Sequence, residues 1–432
     1  MDEQRSPGGI KSKLVAALTS LWLILAVAIL CRAGYACYQV HITPAVALAS
    51  APFEQEAGNV AMSLALGKGF SSPTRRDTGP TAWLPPVYPF LLAGIFRVFG
   101  IFTLHAFYAA AALNILFSVA TCVPIFFVGK RIAGIATASL AAWLWALFPN
   151  AIIIPVQWIW DTSLAALLAA LILWATLILA ESQRIRDWCA YGLLWGLSLL
   201  TNPATAAALP FLLAWLFFRS SSGRGRLTRP GVALLLAILS CVPWTARNYV
   251  RFHRFIPLRS NFPFDLWIGN NYVFDEHAPI NARVTRYSEE RLYGQLGEVA
   301  FMQEKWSLAT QFIRTHKRLE LRLTWWRILS FWLGSFRPID DFKSADSLWI
   351  QAILVINLLT VIGCALGILA LWRSHRLFLF PLAAFVVVVP LVYYVTHASL
   401  RYRHPIDPMV LILTALAVAG WKRRAQDSAE SG

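Results

Sequence analysis

The sequence predicts an all-α polytopic membrane protein with about ten transmembrane helices, and three observations carry that prediction. Of 432 residues, 58% are hydrophobic and 14% are charged, where a soluble chain carries about a quarter charged residues. The apolar residues gather into runs of a length suited to crossing a bilayer. The positive charges gather in the short connections between alternate runs, as cytoplasmic loops of membrane proteins do.

The first run, Leu14 to Leu30, opens a span over 14–38. Lys11 and Lys13 precede it, and Ala47-Leu48-Ala49 resembles a signal-peptidase site. That site lies far beyond a core long enough to span, so the segment is read as retained. Further runs follow at about 105–128, 132–149, 161–180, 188–201, 203–218, 231–244, 348–372, 377–395 and 405–421. Several are shorter than the roughly 20 residues a straight span needs, so the pairs near Pro149 and Pro203 are expected to be tilted or broken. The stretch Val87 to Phe99 contains Arg97 and is too short to cross, which makes it an interfacial or re-entrant helix.

Orientation follows from Lys130, Arg131, Arg184, Arg186, the arginines of 219–229, Arg373, Arg376 and the tail Lys422 to Arg424. All fall on one side, together with the N-terminal Arg5, Lys11 and Lys13, and the positive-inside rule makes that side cytoplasmic. The expected location is therefore a multi-pass protein of the cell inner membrane with both termini in the cytoplasm. A net charge of +16 explained this way gives no ground for nucleic-acid binding. The six cysteines lie mostly in or beside apolar runs and offer neither a disulfide framework nor zinc spacing.

Two segments are left on the outer face, 39–104 and 245–347, flanking a bundle over 105–244 and followed by C-terminal spans over 348–421. In the second, Leu296, Val299, Met302, Trp306, Ala309 and Ile313 recur at helical spacing. With Trp325, Trp326 and Trp332 nearby, this predicts an amphipathic helix at the membrane surface or an ordinary small helical domain. Most acidic residues also lie in these two segments, so chemistry is sought there.

The motifs in order are Phe53-Glu54-Gln55-Glu56-Ala57-Gly58, the glycine-rich Gly67-Lys68-Gly69, and Leu84-Pro85-Pro86-Val87-Tyr88-Pro89 in the first segment. Pro243-Trp244-Thr245-Ala246-Arg247-Asn248-Tyr249 follows, then Arg259-Ser260-Asn261-Phe262, Gly269-Asn270-Asn271, and Arg401-Tyr402-Arg403-His404-Pro405-Ile406-Asp407. Together they resemble bacterial members of the GT-C superfamily, polytopic glycosyltransferases that use polyprenyl-phosphate sugars and are related to protein O-mannosyltransferases and aminoarabinose transferases. The resemblance extends over nearly the whole chain. Two departures stand out: many relatives carry Asp where Glu56 stands, and a basic residue where this chain has Leu84.

The resemblance implies transfer of a sugar from a polyprenyl-phosphate donor to a lipid, glycan or protein acceptor. Such a reaction needs a carboxylate to take the acceptor proton and cations to hold the phosphate as its charge grows. Glu56 is the expected base and Glu54 its neighbour-substitute. Asp161 is a further acid, or simply the cap of the helix that it opens. Arg247, Arg401 and Arg403 suit a lipid phosphate because a guanidinium presents a planar fork, although a lone interfacial Arg more often anchors to headgroups. His404 is placed beside them, with Asp407 a helical turn from Arg403. Lys68, Tyr88, Asn270 and Asn271 complete the expected substrate contacts. No cofactor is assigned; a divalent metal is left open, with Asp340-Asp341 discounted as a loop pair. The alternative function is a transporter or flippase of a lipid-linked sugar, since intramembrane acids and broken helices also mark translocation paths.

Overall fold

The computed structural model describes residues 18–53, 55–219, 225–271, 286–335, 348–374 and 376–430. Six helices among them are long and apolar enough to cross a membrane: Leu21–Ile42, Leu104–Ala133, Thr162–Leu179, Gly225–Phe252, Leu348–Ser374 and Arg376–Val395. Ile135–Leu147 and Pro149–Gln157 form a further pair bent by 43°. Pro149 opens the second half of that pair, where its fixed backbone angle suits a helix start and its missing N–H costs nothing. The remaining apolar runs of the sequence are the shorter helices Ile185–Leu199 and Leu209–Arg219 and the helix Asp407–Glu430. The last of these carries Asp407 at its entry and Lys422, Arg423 and Arg424 toward its end.

The first helix extends to Ile42, past Arg32, where the apolar run of the sequence stops. Arg32 is fully buried and continues the span because its guanidinium is satisfied inside the bundle. It donates to Ser118 Oγ at 2.9 Å and to the carbonyls of Ala28, Ala146 and Trp145 at 3.0–3.2 Å. A cation at this depth is tolerated only with such partners. Val87–Phe99 is a helix of 13 residues, about 20 Å long at 1.5 Å per residue, well short of a hydrocarbon core of about 30 Å. It packs its Tyr88, Leu92, Ala93 and Phe96 face inward, and Arg97 donates to the carbonyl of Leu64 at 3.1 Å.

Close helix contacts are built on small residues, as lipid-embedded bundles require. Ile185–Leu199 lies against Gly225–Phe252 at Gly192 and Gly196, where an added Cβ would approach Ala233 O to 2.4 Å and Ser240 Cβ to 2.3 Å. Leu348–Ser374 meets Asp407–Glu430 at Gly367, where a Cβ would sit 2.0 Å from Leu413 O.

In residues 286–335 the helix expected from the apolar spacing is present as Glu298–Thr315, but its inward face differs from the apolar pattern. Phe301, Met302, Lys305, Ala309 and Phe312 are buried, whereas Leu296 and Trp306 are 41% and 47% exposed. Charged residues join the inner face because they are paired. Lys305 Nζ lies 2.5 Å from Glu289 and 4.2 Å over the Trp267 ring. Glu298 accepts from Thr81 and Ser260 hydroxyls, the Ala82 N–H and Tyr293 OH at 2.5–2.9 Å. These bonds tie the 70–86 loop to the segment beyond residue 259.

Gly367→Ala should lower the thermal midpoint of the protein in lipid nanodiscs, reflecting about 1–3 kcal/mol of overpacking. Gly94→Ala, at a site with nothing within 4 Å of the added methyl, should leave the midpoint in place.

Candidate functional site

The segments around residues 56, 84, 161, 202, 260 and 400 come together in space. There they enclose a cavity of about 160 Å³. Glu56 enters it from the first turn of the helix Glu56–Ala65. Gly58, two positions on, has no alternative, because a Cβ there would meet the Phe53 carbonyl at 2.0 Å. Asp161 enters from the start of Thr162–Leu179 and does not cap it with its side chain. Its carboxylate accepts instead from Asn202 Nδ2 at 3.1 Å.

The cations facing these acids are Arg259 and Arg401. Arg401 lies over Trp158, Trp160 and its neighbour Tyr402 at 4.8–4.9 Å from each ring centroid and donates to Tyr402 OH at 2.9 Å. Aromatic faces fix a guanidinium without neutralising it. Glu56 and Asp161 both act on Arg401 electrostatically. Arg259 lies 3.8 Å from Asp265, which the short helix Phe262–Gly269 brings to the same wall. His397 faces Tyr402 OH through Nε2 at 2.6 Å, and Tyr402 is stacked on Tyr393 with ring centroids 4.8 Å apart.

Burial dominates the ionisation of this cluster. It pushes Asp161 and Asp265 up to about 6, with Arg401 and Arg259 opposing it in both cases. It pushes His397 down to about 4, with Arg401 adding to the effect, so the imidazole is neutral near pH 7. The site thus holds acids poised near neutrality beside two permanent cations, a combination typical of functional clefts.

Of the residues expected from the sequence, Glu56, Asp161 and Arg401 meet in this cavity. The others stand elsewhere. Arg247 is committed to the carbonyls of Thr81 at 2.6 Å and Phe70 at 2.7 Å and to Asn248 Oδ1; it braces the 70–82 loop from outside the cavity. Arg403 is fully buried and bonded to Asp407, Asn357 and the Trp332 carbonyl. His404 is buried against Trp145 and Asp407. Lys68 is an exposed partner of Asp77. Tyr88 is buried and donates to Asn114. Asn270 is held by Arg327 at 2.9 Å, and Asn271 donates to the carbonyl of Trp267. Glu54, like Asp340 and Asp341, lies outside the described residues.

Sequence reading assigns no role to Arg259, Asp265, His397, Tyr402 or Arg327. Arg327 is the organiser among them. It donates to Gly269 O at 2.6 Å and to the Tyr394 and Val395 carbonyls at 3.0–3.1 Å, and pairs with Glu320 at 2.9 Å. It thereby locks the helix bearing Asp265 against the segment bearing His397. Gly269 makes that contact possible, since a Cβ would meet Thr396 O at 1.9 Å. Among the described residues, no three His, Cys, Asp or Glu side chains are grouped to hold a metal ion, and no step below is assigned to one.

An Asp whose pKa is raised by folding costs stability once it ionises, so that cost appears as pH rises through about 6. Asp265→Asn should therefore raise the thermal midpoint at pH 7.5 and have little effect at pH 4, near the acid's ordinary range. A midpoint shift independent of pH would show that Asp265 ionises as an ordinary acid.

With the geometry established, comparison with known proteins identifies the architecture. Residues 84–246 match the family model of dolichyl-phosphate-mannose-protein mannosyltransferases. No curated protein matches the chain. The archaeal oligosaccharyltransferase AglB of Archaeoglobus fulgidus, solved with an inhibitory peptide and a dolichol-phosphate, aligns at 14% identity with a TM-score of 0.53, covering 96% of this chain and 52% of that one. The apo form of the Archaeoglobus fulgidus oligosaccharyltransferase aligns at 13% identity and a TM-score of 0.56, covering 95% and 52%. The chain thus spans about half the length of these solved relatives. The partial family match and the shared helical architecture agree: over nearly its whole length the chain has the helical fold of these membrane oligosaccharyltransferases.

Proposed function

We propose that the protein is a membrane glycosyltransferase that moves a sugar from a polyprenyl-phosphate donor to an acceptor. The observation carrying this reading is the cavity in which Glu56 and Asp161 face Arg259 and Arg401. One reaction uses Glu56 and the two arginines directly. The acceptor hydroxyl oxygen attacks the sugar C1 while a carboxylate, Glu56, takes its proton. The bond from C1 to the phosphate oxygen breaks, and its electron pair leaves with the polyprenyl phosphate. Arg401 and Arg259 bind the phosphate, and their charge-assisted bonds strengthen as it gains charge, which lowers the barrier. A single displacement inverts the configuration at C1.

Asp161 and Asp265 serve a different part of the same site. Acids near neutrality, beside a phosphate, keep the two arginines oriented without making the cavity strongly anionic. Asp161, held by Asn202, is also suited to hydrogen-bond a sugar hydroxyl. The active site is assigned to the outer face of the cell inner membrane. The positive-inside rule supports this reading, since it assigns the basic connections near 130 and 185 to the cytoplasmic side.

Purified protein supplied with a panel of polyprenyl-phosphate sugars should consume one of them with release of polyprenyl phosphate. Glu56→Gln should lower turnover by about two to four orders of magnitude, the usual contribution of a positioned proton acceptor, with donor affinity kept. Transport of intact donor across a proteoliposome membrane without consumption would favour a flippase instead. Near-normal turnover of Glu56→Gln would remove the base from Glu56.

A further inference from the structure

A second cavity, of about 340 Å³, backs onto the first. Gln55 and Trp160 line both, and the residues that follow them in the chain, Glu56 and Asp161, line the first. The dividing wall therefore presents one face to each chamber. The second chamber is built from aromatic and aliphatic surface with Gln39, Thr43, Gln55 and Gln157 as its polar groups, and Trp158 is 40% exposed there. Among the described residues no charged side chain lines it.

We propose that this chamber is the acceptor subsite and that it takes an uncharged sugar ring, free or at the head of a glycolipid. The inference rests on the glycosyltransferase reading and specifies its acceptor class. Among the described residues none offers a counter-ion, so a charged acceptor entering here would lose water without compensation from them, a cost that disfavours charged groups. A plain hydrocarbon chain would strip water from three carboxamides and return no hydrogen bond. Each carboxamide carries two donors and a two-lone-pair acceptor. Gln39 donates to Thr43 Oγ1 at 3.3 Å and Gln157 to Tyr35 OH at 2.8 Å, bonds that orient the amides. A neutral sugar meets both demands: its C–H face covers an indole while its hydroxyls pair with amides. The chamber's size and mixed lining match small-molecule sites of about 300–1,000 Å³.

The position also suits the chemistry. An acceptor hydroxyl in this chamber is one side chain from Glu56, and Arg401, clamped between Trp158 and Trp160, lies along the same wall. Acceptor and phosphate are then held on two sides of one aromatic pair. The proton moves from the acceptor hydroxyl to Glu56 as the C1–oxygen bond forms, and the phosphate leaves on the far side.

Saturation-transfer NMR on the full chain in nanodiscs tests this without turnover. The probes are methyl β-glucopyranoside and methyl α-mannopyranoside, the anionic methyl β-glucuronide, and a neutral serine-containing tripeptide. At least one neutral glycoside should receive saturation, and the glucuronide and peptide should not. Gln157→Leu and, separately, Gln39→Leu should each cut that signal by at least about threefold, since each removes sugar hydrogen bonds, while Glu56→Gln keeps it. An alkyl-linked form of the same glycoside in the same assay separates a glycolipid head from a free sugar. No signal from any neutral glycoside, a signal undiminished from wild type in both Leu variants, or preference for the glucuronide or peptide would overturn the proposal. Donor consumption by the wild type, measured in parallel, shows whether the transferase reading survives such a result.

Discussion

The buried pair of Arg403 with Asp407, 2.7 Å apart and fully enclosed, is the constraint on which the rest of the site depends. An ion pair removed from water repays its desolvation only if every remaining donor and acceptor is met. Here Arg403 also reaches Asn357 Oδ1 and the Trp332 carbonyl, Asn357 is bonded to Asn150 at 3.0 Å, and Asp407 takes His404 Nδ1 at 3.3 Å. The network joins the bend of the bent pair, the helix Lys317–Leu333, the span Leu348–Ser374 and the last helix. It fixes the turn at residues 400–406 against four elements at once. Arg401, two residues earlier in that turn, consequently points into the cavity from a rigid base.

The same logic separates two kinds of arginine. Arg32, Arg247, Arg327 and Arg403 spend their donors on carbonyls and side-chain oxygens of other elements, and so act as cross-links of the fold. Arg401 lies over the Trp160 ring and donates to Tyr402 OH, and Arg259 lies 3.8 Å from a carboxylate, so both keep charge available to a ligand. Strongly paired cations hold a site; weakly paired ones serve it. A span that must cross hydrocarbon has no water to satisfy polar atoms, so the first kind is as necessary as the second.

Much of the fold was legible in the sequence. Apolar run length and loop charge locate the spans because burial in lipid leaves little freedom of composition. Arg32 interrupts the apolar run within the span expected over 14–38, and hydropathy cannot see the carbonyls that accept from it; the helix runs on to Ile42. The stripe from Leu296 to Ile313 missed Lys305 and Glu298, which reach the interior only through Glu289, Ser260 and Thr81. At the site, Glu56, Asp161 and Arg401 stood out as charged groups beside spans. Arg259 entered only as part of a motif without a role, and Asp265 and His397 did not enter at all, because nothing in local spacing says that residues near 260 and near 397 share a wall. Arg327 decides that, and in sequence it is one of several arginines in a Trp-rich helix.

The account turns on which guanidinium receives the lipid phosphate. Affinity for undecaprenyl phosphate in nanodiscs, measured for wild type, Arg401→Ala and Arg247→Ala, addresses this directly. Arg401→Ala should weaken binding about tenfold or more, the loss expected for a charge-assisted bond to phosphate, while Arg247→Ala stays within about threefold of wild type once folded protein is matched. Unchanged affinity in Arg401→Ala with a large loss in Arg247→Ala would place the phosphate at the other arginine and contradict the account.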